Sequence, residues 1–173
     1  DGRRYAQESR GLGDLYKRQG LTELARINER LIEQPPQTMR EACQWIAWFN
    51  IASRTYNRDG AGGQLDTLLL PYYEKDKADG LIDDEDAVFY LFCLLLNDPH
   101  YYQIGGPDAS GADQTSALSY LILQAARLLK STCNITIRVH DGLPEKLFDE
   151  GVRCLVENRQ AYPRFSGDAA LCS

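Results

Sequence analysis

Histidine is nearly absent from this chain, with only His100 and His140, and no two of its cysteines have C-x-x-C spacing. Without clustered imidazoles or paired thiolates a zinc site has no framework, so no metal ligand is assigned. The five cysteines, Cys43, Cys93, Cys133, Cys154 and Cys172, are odd in number and far apart. Reduced thiols in a cytoplasmic protein are the simplest account. Long hydrophobic runs are also missing. The longest, Val88 to Leu96, is about half of what a bilayer span requires, and no signal-peptide pattern stands at the start. Neither a membrane partner nor export is expected. Positive charge is in deficit, with 19 Lys and Arg against 25 Asp and Glu, a net charge of -6 and a pI near 4.9. A nucleic-acid partner needs clustered cations to displace counterions, so none is expected. The basic residues at Arg3, Arg4, Lys17 and Arg18 are diluted by acidic neighbours and read as solvated helix surface.

What is present is ordinary for a globular chain: 43% hydrophobic and 25% charged residues over 173 positions, enough to bury one core. Residues 3–33 read as helix, with interruptions expected near Gly11–Gly13 and Gly20, and Pro35-Pro36 stopping it. Thr38-Met39-Arg40-Glu41 is a capping box that opens a helix carrying Ala42, Cys43, Trp45, Ile46, Trp48, Phe49 and Ile51. Apolar on so many sides, that helix must be nearly enveloped by other structure, and alone the chain should expose apolar surface from 38–58 and 84–97. Helices are also expected over 64–79, with a kink or boundary at Pro71, over 84–96, over 115–130 and from Pro144 to about Asn158. Leu118, Leu121, Ile122, Ala125, Leu128 and Leu129 form the stripe expected to be buried on the helix at 115–130. Asn134 to His140 alternates as a strand and ends at Asp141-Gly142, and Tyr162 to Phe165 is a candidate second strand. The fold class is therefore α/β, mostly helical with one or two strands. A single internal strand would leave its backbone groups unpaired, which suggests a sheet completed by chain outside these residues.

Several segments, in order, resemble the pattern of glycyl radical enzymes related to pyruvate formate-lyase. Pro36-Gln37-Thr38-Met39-Arg40-Glu41-Ala42-Cys43-Gln44 is similar to P-x-T-[FM]-x-E-A-x-Q. Gly63-Gln64-Leu65-Asp66, followed by Pro71-Tyr72-Tyr73-Glu74-Lys75-Asp76 and Gly80, resembles G-R-x-D-x-x-L-x-P-Y-Y-x-x-D-x-x-x-G. Ile104-Gly105-Gly106, Gly111, Asp113, Thr115 and Leu118-Ser119-Tyr120-Leu121 are similar to I-G-G-x-x-x-x-G-x-D-x-T-N-x-L-S-Y-L. Asn134 to His140 resembles N-x-T-x-R-x-H, and Pro163 to Asp168 resembles P-x-F-x-N-D. The resemblance divides the chain into a helical lead-in, 1–35, and a motif-bearing segment, 36–168, both within a partial domain spanning 1–173.

The resemblance implies a ten-stranded α/β barrel in which a cysteine loop and a glycine loop meet. It implies an organic glycyl radical, installed by an S-adenosylmethionine iron–sulfur activating enzyme, and a homodimer in the full-length form. No cofactor is expected to bind this segment itself. The thiyl cysteine of the family lies beyond the P-x-F-x-N-D segment and the radical glycine near the far C-terminus, so no catalytic residue is assigned here. Cys172 follows Asp168 too closely for the thiyl role. The expected function is a segment of a radical lyase or dehydratase that cleaves a C–O, C–N or C–S bond of a small polar substrate. Alternatives are a non-catalytic split or decayed relative serving as scaffold, a formate-lyase-type acyltransferase, and an unrelated helical binding domain.

Four substrate-binding candidates follow from the resemblance. Gln64 stands where the formate-lyase branch has an arginine that pairs a substrate carboxylate, and a neutral amide disfavours an α-keto acid. Its bland role is to cap the next helix. Thr115 and Ser116 occupy the T-N position and either orient a polar substrate or cap a helix. His140 ends the strand and either faces the barrel interior or serves as a structural hydrogen-bonder. Gly167 stands in place of the asparagine of P-x-F-x-N-D, which changes the approach to the cysteine loop.

Overall fold

The computed structural model describes residues 2–56, 63–159 and 161–167, with side chains from Lys17 onward. The chain divides into two compact units, Asp1–Pro36 and Gln37–Ser173. The first is one helix, α1 (Gly2–Glu33), without the interruptions expected at its glycines. Each glycine in a helix costs only about 1 kcal/mol relative to alanine, which a long helix tolerates.

In the second unit, α2 (Met39–Arg54) begins at the expected capping box. Thr38 Oγ1 accepts from Glu41 N–H at 3.3 Å, while Glu41 Oε2 accepts from Gln37 and Thr38 N–H at 2.9 and 3.3 Å. A fourth donor of this helix start, Met39 N–H, reaches the buried Asp76 at 2.7 Å. Met39, Ala42, Cys43 and Ile46 form the buried stripe of α2. Contrary to the expectation of near-complete envelopment, Trp45, Trp48, Phe49 and Ile51 stay exposed. Phe89 and Leu96 are exposed too, so the apolar surface foreseen over 38–58 and 84–97 is present.

α3 (Leu65–Ala78) runs through Pro71, which is therefore not a boundary. α4 (Asp84–Asn97) starts with reciprocal bonds between Asp83 and Asp86, placing negative charge at the positive end of the helix dipole. α5 (Ala117–Leu129) buries Leu118, Ile122, Ala125 and Leu129, whereas Leu128, expected on that stripe, is exposed. α6 (Glu145–Asn158) follows Pro144, which sits at its N-cap.

The strand count departs from the sequence expectation. Four strands form one parallel sheet in the order β1-β2-β3-β4: β1 (Gly63–Gln64), β2 (Tyr102–Ile104), β3 (Ile135–Val139) and β4 (Arg164–Gly167). β3 is thus paired on both sides, and the inference that it lacked partners is corrected. Two- and three-residue strands are too short to show alternation, so β1 and β2 carry no periodic signal.

The sheet is two-faced. Tyr102, Ile104, Ile135 and Ile137 point into the core beneath the helices, each no more than 1% exposed. Phe165 alternates onto the same face, its ring 5.0 Å from that of Phe148 of α6 and tilted by 48°. Gly151 lets α6 approach closely, because a Cβ there would collide with Ile137 Cδ1 and lie 3.0 Å from Phe165 Cζ. The opposite face carries Gln64, Gln103, Thr136, Arg138, Arg164 and Ser166, which share register rows. Parallel sheets are ordinarily covered on both faces, so a polar face on one is the wall of a cavity or an interface.

Candidate substrate-facing site

In a parallel sheet the carboxyl ends of all strands open on one edge, where ligand sites of open α/β proteins gather. The sequence candidates fall there. Gln64 ends β1, Gly105 and Gly106 follow β2, His140 follows β3, and the loop from Gly105 to Ser116 brings Thr115 and Ser116 to the same edge. Both glycines have positive φ, +64° and +88°, a conformation L side chains rarely adopt. A Cβ on Gly106 would lie 2.6 Å from Arg138 Cβ, so the loop passes directly over β3.

The frame beneath this loop is a buried carboxylate. Asp66, in the first turn of α3 and fully buried, accepts from Gly105 N–H at 2.7 Å and from Ser119 Oγ–H at 2.5 Å on Oδ2, and from Thr67 N–H at 2.9 Å on Oδ1. Ser119 Oγ in turn accepts from Ser116 N–H at 3.0 Å. One carboxylate therefore holds the end of β2 against the start of α5. Burial raises the Asp66 pKa above the usual carboxylate value, and these donors oppose the rise only in part.

Gln64 occupies the N-cap position of α3, but its side chain makes no capping bond. It spans three elements instead. Nε2 donates to Gly105 C=O at 2.6 Å and to Gln114 Oε1 at 3.1 Å, and Oε1 accepts from Arg138 Nη1 at 2.7 Å. Thr115 Oγ1 donates to Asp113 Oδ1 at 3.0 Å. Ser116 is the N-cap residue of α5 and forms a capping box with Ser119, and its Oγ is shielded from solvent. His140 Nδ1 accepts from Gly142 N–H at 3.2 Å, which places the ring proton on Nε2, donated to Asp113 Oδ1 at 2.9 Å. With both ring nitrogens engaged, His140 braces the loop.

Three of the four sequence candidates thus fall in two clusters, Gln64 with Gln114 and Arg138, and Thr115 and His140 on Asp113, while the Ser116 backbone is tied to Ser119. The sequence assigned no site role to Asp66, Asp113, Gln114 or Arg138. Three of them stand at fixed letters of the motifs quoted above, which was a usable signal; Gln114 stands at a variable letter and had none.

A second polar cluster, at the opposite end of β2, also escaped the sequence. Asp98, fully buried, accepts from Asn50 Nδ2 at 2.6 Å and Tyr102 O–H at 2.7 Å on Oδ2, and pairs through Oδ1 with Arg54 at 2.7 Å. Arg54 Nη1 also lies 2.7 Å from His100 Nδ1. Burial, then the neighbouring Asp98, raise the Tyr102 pKa. Among the described residues no group of three His, Cys, Asp or Glu is placed to hold a metal ion, and no helix is long and apolar enough to cross a membrane.

An α/β unit with a one-sided helical layer and a polar strand-end cluster is the class of structure these observations define. A family profile described as pyruvate formate lyase-like matches residues 2–173, and the chain belongs to that family. It is 26% identical over 181 residues to isethionate sulfite-lyase of Nitratidesulfovibrio vulgaris, covering 90% of this chain and 22% of that protein. It is 39% identical over 97 residues to indoleacetate decarboxylase of Tractidigestivibacter scatoligenes, covering 53% of this chain and 11% of that protein. A solved structure described for 1,2-propanediol dehydration in Roseburia inulinivorans superposes with a TM-score of 0.78 at 24% identity, over 90% of this chain and 22% of that one. The α/β fold is accordingly that of glycyl radical enzymes, of whose length this chain spans about a fifth.

Proposed function

We propose that this chain forms one substrate-facing wall of a glycyl radical lyase or dehydratase that cleaves a C–O, C–N or C–S bond in a small polar substrate. The observation that carries the proposal is the gathering of Gln64, Gln114, Thr115 and Arg138 at the carboxyl edge of a parallel sheet whose free face is polar. Family membership supports the kind of reaction, since the relatives are lyases and decarboxylases by name. The neutral amide of Gln64, already committed to Arg138, argues against the acyltransferase alternative, which calls for a free cation at that position.

An organic glycyl radical, installed by a separate S-adenosylmethionine iron–sulfur activase, supplies hydrogen-atom abstraction through a cysteine in such enzymes. The described cysteines do not fit that role. Cys43, Cys133 and Cys154 are buried within the hydrophobic core, where a substrate at the strand-end edge does not reach their sulfur atoms. Cys93 lies on α4, not on a loop at the strand-end edge. The work assigned to this chain is binding and orientation. Asp66 fixes the loop, Gln64 ties the ends of β1 to β3 together, and the shielded Ser116 hydroxyl is a further polar group beside them. The exposed aromatic faces of α2 and α4 are surfaces for the remainder of a barrel, in a homodimeric cytoplasmic enzyme.

Anaerobic co-expression of the gene carrying this chain with an iron–sulfur activase tests the proposal. A glycyl radical signal by electron paramagnetic resonance that persists through turnover of isethionate or glycerol is the expected result. An intact mass equal to these residues alone together with no radical signal would sink it, leaving the scaffold alternative.

A further inference from the structure

Amide side chains are ambiguous when isolated, because oxygen and nitrogen are interchangeable in shape, and their orientation is set by the polarity of their neighbours. Gln64 has two neighbours of opposite polarity. The carbonyl oxygen of Gly105, 2.6 Å away, accepts only, so it selects the Gln64 NH2 group. The Arg138 guanidinium, 2.7 Å from the other end, donates only, so it selects the Gln64 oxygen. With Gln64 fixed by both, its second N–H is aimed at Gln114, which must present oxygen in return, as it does at 3.1 Å. The backbone of Gln114 is tied down separately by its N–H to Gly106 C=O at 2.8 Å. Polarity is thus relayed from Arg138 through Gln64 to Gln114. At the end of the relay, Gln114 Nε2 meets no acceptor among the described residues and is not shielded from solvent.

We propose that Gln114 is a substrate-binding residue of this edge, whose side-chain NH2, oriented by Gln64, donates to an acceptor oxygen of a small substrate. This rests on the reading of the edge as a substrate wall and adds what the wall recognises. The position called for a charged contact, Gln64, becomes the orienting residue, and the contact itself passes to a neutral donor in the loop. An oxyanion such as a sulfonate and a neutral hydroxyl oxygen share the required chemistry.

The full-length protein carrying this chain, 15N-labelled at glutamine and not activated, is titrated with sodium isethionate, with glycerol and, as blank, with sodium chloride at matched ionic strength. Side-chain amide signals are assigned by their loss in Gln64→Leu and Gln114→Leu. The Gln114 amide pair is expected to move saturably with isethionate or glycerol and not with the blank, and whichever probe acts identifies the oxygen type. Gln64→Glu keeps a partner for Arg138 but presents only acceptors, so Gln114 must turn its NH2 inward and its oxygen outward. That variant is expected to bind isethionate, whose sulfonate oxygens only accept, about tenfold more weakly, the loss of roughly one hydrogen bond, whereas a glycerol hydroxyl can donate to the outward oxygen and its binding is tested by Gln114→Leu. Gln114→Glu, on the half-exposed loop, makes the same reversal directly and serves if the first variant fails to fold. Signals unmoved by both probes, undiminished isethionate binding in the folded reversal variants, or undiminished glycerol binding in Gln114→Leu would overturn the proposal. The titration needs no radical, so its failure concerns Gln114 alone, whereas an absent radical signal concerns the lyase reading.

Discussion

At the start of β2 the Asp98 carboxylate is fully buried among Asn50, Arg54 and Tyr102, with donors on both oxygens. At the carboxyl ends of β1 to β3 the groups are half-buried, and Gln114 keeps donors without an acceptor. The same sheet thus carries a saturated polar cluster at one end and an unsaturated one at the other. A buried polar group left unpaired costs more than its pair contributes, so the saturated end fixes the fold. Spare donors are tolerated only where solvent or a ligand completes them, so the other end is free to recognise something.

Breaking the saturated end should have the largest effect. Asp98→Ala leaves Arg54, Asn50 and Tyr102 without their common acceptor and is expected to cost about 3–5 kcal/mol, read by urea denaturation. A wild-type midpoint in that variant would erase the distinction between the two ends. Between the ends, Gly151→Ala pushes α6 off Ile137 and Phe165 and should cost about 1–3 kcal/mol by overpacking, with fluorescence-monitored unfolding as readout.

Asp66 sharpens the comparison through pH. Its folded pKa is raised by burial, so the folded state holds that proton more tightly than the unfolded chain does. Its contribution to stability is therefore greatest below the ordinary Asp pKa and is lost as pH rises through the elevated folded value. Wild type should gain stability relative to Asp66→Asn on acidification across that window, and a pH-independent difference between the two would contradict the assignment. The smallest effect belongs to the unsaturated end itself. Gln114→Leu should change stability by within about 0.5 kcal/mol, as for surface positions generally, while abolishing the probe response described above.

The helices were legible because their signals are local. The Thr38–Glu41 capping box and the N-terminal charge at Asp83–Asp86 act within four residues, and α2 and α4 begin where those signals put them. β3 was legible from five alternating residues. β1 and β2 were not, because their pairing depends on partners about forty and thirty residues away and neither is long enough to alternate. The edge was legible in its place but not in its wiring. Gln64 was expected either to meet substrate or to cap α3, and the third possibility, bracing between Gly105 and Arg138, requires knowing which strands are neighbours.

The loop that closes this edge has a consequence for how the chain can change. Its base is locked: Gly106 leaves no room for a Cβ beneath it, Gln114 N–H returns to Gly106, and Pro107 bridges to Asp113. Its tip is self-contained, Asp108 Oδ1 accepting from Ser110 N–H, Ser110 O–H and Ala112 N–H. Anchor and tip are therefore separable modules. Residues 108–112 can be lengthened, shortened or diversified without re-aiming Gln114 or Thr115, so tuning of selectivity, by evolution or by a designed library, has an address of five residues that leaves the rest of the wall untouched.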